Sequence, residues 1–153
     1  MTTPYEIKDL APQLTFGVTL HSDKAKFMTL FDVWFPKLWQ ALTEAGGQPL
    51  GGPFARYHKW TDEEVVIELA APVAAAIAES ADFKMGSTPG GKTIVFQHIG
   101  HYSGLMQTWA DMMEWVAKNG YELASGGWET YVTDPRTEPD STKWVTEIYQ
   151  PIK

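Results

Sequence analysis

The chain has no cysteine, fewer basic than acidic residues, and no long apolar run. Without cysteine there is no disulfide and no thiolate for catalysis or metal binding, which fits a reducing, cytoplasmic setting. Twelve basic residues against nineteen acidic ones leave a net charge of -7. Phosphate backbones are held by clustered cations, so a direct nucleic-acid partner is not expected. The longest apolar stretch, "LAAPVAAAIA", is far short of the ~20 residues a membrane helix needs, so no membrane partner is expected. "MTTPYEIKDL" has no basic segment followed by an apolar one, so no signal peptide is expected. Metal chemistry has little to build on. The histidines are His21, His58, His98 and His101, with no HExxH motif, and no metal is expected. "GGQPLGG" lacks the Lys-Ser/Thr of a phosphate loop, and Ser87, Ser103 and Ser125 sit in no nucleophile elbow. No cofactor is expected.

What is abundant is aromatic surface. Seven Trp, six Tyr and seven Phe make up 13% of a chain that is 44% apolar and, at 153 residues, long enough for one domain. Trp and Tyr combine flat apolar area with a polar edge, so they serve either a core of large side chains or the wall of a pocket.

Two helices are legible from three- and four-residue spacing. "DKAKFMTLFDVWFPKLWQALTEAGG" puts Phe27, Leu30, Phe31, Trp34, Leu38 and Leu42 on one face, with Ser22 as N-cap and Gly46-Gly47 as the stop. Pro36 falls inside it and predicts a kink or restart. "YSGLMQTWADMMEWVAKNGY" puts Leu105, Trp109, Met112 and Val116 on one face and ends at Asn119-Gly120. Eight strand-like stretches surround them: "YEIKDL", "LTFGVTLH", "FARYHK", "EVVIELAAPV", "DFKMGS", "KTIVFQHIG", "WETYVTD" and "KWVTEIYQPI".

The order of these pieces repeats. An offset of 74 pairs Gly46 with Gly120, Gly52 with Gly126, Phe54 with Trp128 and Tyr57 with Tyr131. After "DPRTEPD" the offset becomes 79 and pairs Val66 with Val145, Glu68 with Glu147 and Pro72 with Pro151. Upstream, 77 pairs Pro12 with Pro89 and His21 with His98. The expected fold is α+β, a single domain over residues 1–153 with repeats at 4–73 and 82–152. The two halves share an antiparallel sheet with both helices on one side, and a ligand cleft lies between them.

Glu147 and Glu68 occupy equivalent strand positions, and each is either a surface glutamate or the floor of an aromatic cleft. Desolvation in such a cleft raises a carboxylate's pKa, and a cationic ligand relieves the penalty while Trp and Tyr faces add cation–π attraction. The aromatic neighbours available are Tyr131, Tyr149, Phe54, Tyr57 and Trp128 on strands, and Trp39, Trp109 and Trp115 on helices. Met113 joins Met106 and Met112 as an adaptable wall.

"GGKTIVFQHIGHYSGLMQTWADMMEWVAKNGYEL", then "GWETYVTDP" and "VTEIYQPI", resemble the GyrI-like small-molecule-binding domain, also found as the effector-binding domain of AraC- and MerR-type multidrug regulators. "AGGQPLGGPFARYHKWTDEEVVIELAAPV" matches it more loosely. The resemblance implies a duplicated strand-helix-strand-strand (SHS2-like) fold. It implies a cleft for hydrophobic, often cationic compounds, anchored by a glutamate on the last strand, here Glu147. Tyr131 matches the family's tyrosine before Asp-Pro, and Gly100-His101-Tyr102 its Gly-x-Tyr step. With a strand beginning at residue 5, a standalone form without a DNA-binding segment is expected. The leading expectation is a protein that sequesters or senses such a ligand through Glu147, Tyr131, Trp109, Tyr149, Glu68, Phe54, Tyr57, Trp39 and Met113. Next comes a hydrolase of electrophilic toxins using Glu147 and Tyr131, and third an inhibitor of a protein partner such as gyrase. Ligand identity and oligomeric state are left open.

Overall fold

The computed structural model describes residues 4–153. Each of the eight expected stretches contains a strand: β1 Glu6–Leu10, β2 Leu14–Ser22, β3 Phe54–Trp60, β4 Val65–Pro72, β5 Lys84–Ser87, β6 Gly91–Ile99, β7 Trp128–Tyr131 and β8 Val145–Pro151. They form one antiparallel sheet in the order β1-β6-β8-β7-β3-β4-β2-β5. The helices are α1, Phe27–Glu44, and α2, Leu105–Lys118, the latter led in by a 3-10 turn at Tyr102–Gly104. No helix among the described residues is long and apolar enough to cross a membrane.

α1 begins later than the spacing suggested. Ser22 ends β2, and the turn into the helix is held by Asp23, whose side-chain Oδ1 accepts from the Lys26 amide at 2.9 Å. The helix then runs through Pro36 without interruption. Phe27, Leu38 and Leu42 are buried against Val65, Ile67 and Leu69 of β4, which is enough apolar burial to offset the hydrogen bond that proline removes. α2 buries Leu105, Met112 and Val116 against Ile94, Phe96 and Ile148. Register shows that both helices cover the same face. Leu69 lies across from Ala55, Ala55 from Glu129 and Glu129 from Ile148, so the residues under α1 and α2 share one side of the sheet.

The repeated sequence positions make repeated contacts. Gly46 and Gly120 have φ of 73° and 74°, a left-handed conformation that glycine adopts without strain. After each, a backbone N–H reaches back to close the helix: Gly47 to the Leu42 carbonyl at 2.9 Å and Tyr121 to the Val116 carbonyl at 3.1 Å. The Leu50 N–H donates to the Pro72 carbonyl as the Ala124 N–H donates to that of Pro151. The halves also exchange edge strands, β1 pairing with β6 and β5 with β2. The two halves are joined where the Thr88 N–H donates to the Gln13 carbonyl at 2.9 Å and the Gln13 N–H to Thr88 Oγ1 at 3.1 Å, next to Pro12 and Pro89.

The core under α1 extends to Ala55 of β3 and the core under α2 to Ile148 of β8, so β7 lies between them. The β3–β7 junction is only three residue pairs long: Phe54–Thr130, Ala55–Glu129 and Arg56–Trp128. Close backbone approach locks it. A Cβ on Gly52 would meet the Tyr131 carbonyl oxygen at 2.2 Å, and one on Gly126 would meet that of Tyr57 at the same distance.

Candidate functional site

A carboxylate stands at the centre of the sheet on its helix-bearing face. Glu129 is the middle residue of the β3–β7 junction, flanked by the buried Ala55 and Ile148, and is 3% exposed. Its neighbours are neutral donors. Trp109 Nε1, from α2, donates to Oε1 at 2.8 Å, and the Tyr131 hydroxyl donates to Oε2 at 2.5 Å. The Tyr57 hydroxyl faces the same carboxylate. Among the described residues no lysine or arginine pairs with it. Burial pushes the Glu129 pKa up, and the hydrogen bonds from Tyr131, Trp109 and Tyr57, together with the charge of His98 nearby, oppose that rise. The same burial, with the nearby Glu129 charge, pushes the Tyr57 and Tyr131 phenols well above their ordinary value, so both stay protonated donors.

Aromatic rings surround this group. Tyr131 meets Phe31 at 6.2 Å and Phe35 at 5.9 Å from α1, and Tyr102 at 5.5 Å from the turn before α2. Tyr57 meets Trp109 edge to face at 6.1 Å. Beyond Tyr102, Trp144 and His101 continue the stack, with ring centroids 4.9 and 5.4 Å apart in turn. The seam between the helices is thus apolar and π-rich around one desolvated carboxylate, a combination that, when the carboxylate is ionised, suits a cation. Among the described residues no group of three or more His, Asp or Glu side chains could hold a metal ion.

The residues singled out from sequence divide between the two faces. Tyr131, Tyr57 and Trp109 gather around Glu129. Trp39 packs on the core under α1, and Met113 lies on α2 with 36% of its surface exposed. The other four point away from the helices. Glu147 lies across from Gln97 and Thr130, one residue out of register with Ile148, and Tyr149 donates to its Oε1 at 3.3 Å. Tyr149 stacks on Trp128 at 5.1 Å, and these rings bury Phe54 on that face. Glu68 sits there too, its Oε1 2.8 Å from His58 Nε2, in an open groove of about 470 Å³ that also includes Arg56, Lys84 and Gly86. Glu147 and Glu68 therefore do not meet Tyr131 or Trp109, because one step along a strand reverses the face.

Glu129 escaped the sequence reading because the repeat search favoured acids present in both halves. Its counterpart at the 74-residue offset is Ala55, so it has no echo. A signal was nonetheless present: Glu129 is two residues before Tyr131 in "WETY", and alternate strand residues share a face.

The GyrI-like small molecule binding domain family matches residues 3–153. No curated protein sequence matches the chain. Among solved structures, the C-terminal domain of EcmrR superposes with a TM-score of 0.84 at 21% identity, covering 97% of this chain and 96% of that one. In the EcmrR–DNA complex the match has the same TM-score and identity and covers 97% of this chain but only 57% of the EcmrR chain. SAV2435 bound to tetraphenylphosphonium superposes with a TM-score of 0.72 at 17% identity, covering 99% of this chain and 94% of that one. At these identities the likeness is one of fold.

Proposed function

Because the chain belongs to the GyrI-like small molecule binding domain family, we propose that it binds a hydrophobic cation in the helix-side cleft, with Glu129 as the charge anchor. The observation that carries this reading is a carboxylate 3% exposed, hydrogen-bonded by Trp109 and Tyr131 and, among the described residues, in no ion pair with a lysine or arginine. An ionised group so placed carries a desolvation cost that a bound cation offsets, and the surrounding Phe, Tyr and Trp rings supply apolar contact and π faces. The role that the sequence assigned to Glu147 thus passes to Glu129, with Tyr131, Tyr57 and Trp109 setting its position and charge. Tetraphenylphosphonium, which SAV2435 binds, is a suitable probe because it presents one positive charge inside a purely aromatic shell.

Titration calorimetry with tetraphenylphosphonium tests this. Glu129→Gln keeps the shape and removes the charge, and should weaken binding by roughly ten- to a hundredfold, about 1.4–2.8 kcal/mol. Glu147→Gln should bind as the unmodified chain does. Equal affinity in Glu129→Gln, or the loss appearing instead in Glu147→Gln, overturns the assignment.

A further inference from the structure

Resting on that reading of the cleft, we propose that Thr146 provides a second, neutral anchor point, so that the site prefers cations carrying a hydrogen-bonding heteroatom on their apolar body. Thr146 lies directly across from Tyr131 on one side and His98 on the other, on the helix-bearing face. It is fully buried, and its Oγ1 has no hydrogen-bond partner. A buried hydroxyl without a partner costs roughly 1–3 kcal/mol, and threonine is isosteric with valine, which would fill the position without that cost.

The neighbouring side chains direct their hydrogen bonds elsewhere. The Tyr131 hydroxyl is committed to Glu129 at 2.5 Å. Both ring nitrogens of His98 are taken, Nδ1 by Thr108 Oγ1 at 2.7 Å and Nε2 by the His101 carbonyl at 3.0 Å. The Tyr102 ring is partly exposed and meets the Tyr131 ring at 5.5 Å. A ligand group that displaces the Tyr102 ring reaches a hydroxyl that can donate or accept.

Spacing defines the ligand. Thr146 is one strand across and two residues along from Glu129. With a strand spacing of about 4.8 Å and a rise of about 3.3 Å per residue, the two backbones are roughly 8 Å apart. The ligand class is a lipophilic monocation with an ester, amide, ether or N–H group set apart from the charge on its apolar body.

Two cations separate the outcomes: rhodamine 6G, which carries an ester and N–H groups, and tetraphenylphosphonium, which has no hydrogen-bonding atom. Tryptophan fluorescence titrations would compare the unmodified chain with Thr146→Val and Thr146→Ser. Thr146→Val should weaken rhodamine 6G by roughly fivefold to tenfold and leave tetraphenylphosphonium unchanged or tighter, while Thr146→Ser keeps the rhodamine affinity. A Thr146→Val variant that binds both cations as before, or loses both alike, overturns the second anchor and leaves the cleft reading standing. If neither cation binds the unmodified chain, the cleft reading fails and takes this inference with it.

Discussion

Glu129 places a carboxylate where charge is disfavoured, and its three donors make that placement tolerable without cancelling the cost of burial. Its folded-state pKa is raised above the unfolded value, chiefly by burial. Between the two values the folded chain holds a proton that the unfolded chain has released, so this group's contribution to stability falls as pH rises through that window. The cost is fully present above the raised pKa and absent below the ordinary glutamate range. Glu129→Gln removes the titration, whatever constant offset the amide introduces. The difference in melting temperature, variant minus unmodified chain, should therefore grow from pH 4 to pH 7. A difference independent of pH would show that Glu129 does not titrate under strain. Cation affinity should fall on acidification through the same raised pKa, at a higher pH than an exposed glutamate would give, because only the ionised form attracts the ligand.

The helices are placed by their ends as much as by their faces. α1 and α2 each stop at a left-handed glycine, Gly46 and Gly120, followed by a returning N–H that satisfies a free carbonyl. A Cβ on either glycine would meet nothing within 4 Å, so substitution isolates the backbone effect. Gly46→Ala and Gly120→Ala should each cost about 1 kcal/mol, lowering the melting temperature by about 2–4 °C in thermal unfolding. Equal stability would mean that another residue sets the stop. These ends were legible because glycine after an amphipathic run has a local meaning. The start of α1 was less so. Both Ser22 and Asp23 are competent caps, and only the length of β2, fixed by its pairing with β4, gave the turn to Asp23.

Across the whole molecule, the proposed cleft depends on how the halves are joined. Tyr57 and Tyr131 reach Glu129 from opposite strands, and each is held by a backbone bond into the other half: the Tyr57 N–H donates to the Gly127 carbonyl and the Tyr131 N–H to that of Pro53. Gly52 and Gly126 permit that approach. Gly52→Ala and Gly126→Ala should each destabilise by about 1–3 kcal/mol, since the contact is with backbone rather than a flexible side chain. Both should also weaken tetraphenylphosphonium binding, although neither glycine is on the helix-side wall. Loss of stability with unchanged affinity at a temperature where the variant is folded would separate the junction from the site.

The sequence by itself determined the eight strands, the two amphipathic helices, the duplicated order and the family, because period, turn chemistry and repetition are local or one-dimensional properties. It also supplied Tyr131, Tyr57 and Trp109 as candidate pocket residues, since aromatics at repeated or helix-face positions stand out in one dimension. Only the tertiary structure decided which carboxylate they surround. Register assigns each strand residue to a face, and a single step separates Glu147, beside Tyr149 on one side, from Ile148 on the other. Pairing Ala55 with Glu129 at the junction puts one unduplicated acid at the centre of a duplicated frame. That asymmetry arises from the contact between the halves, and no comparison of one half with the other could reveal it.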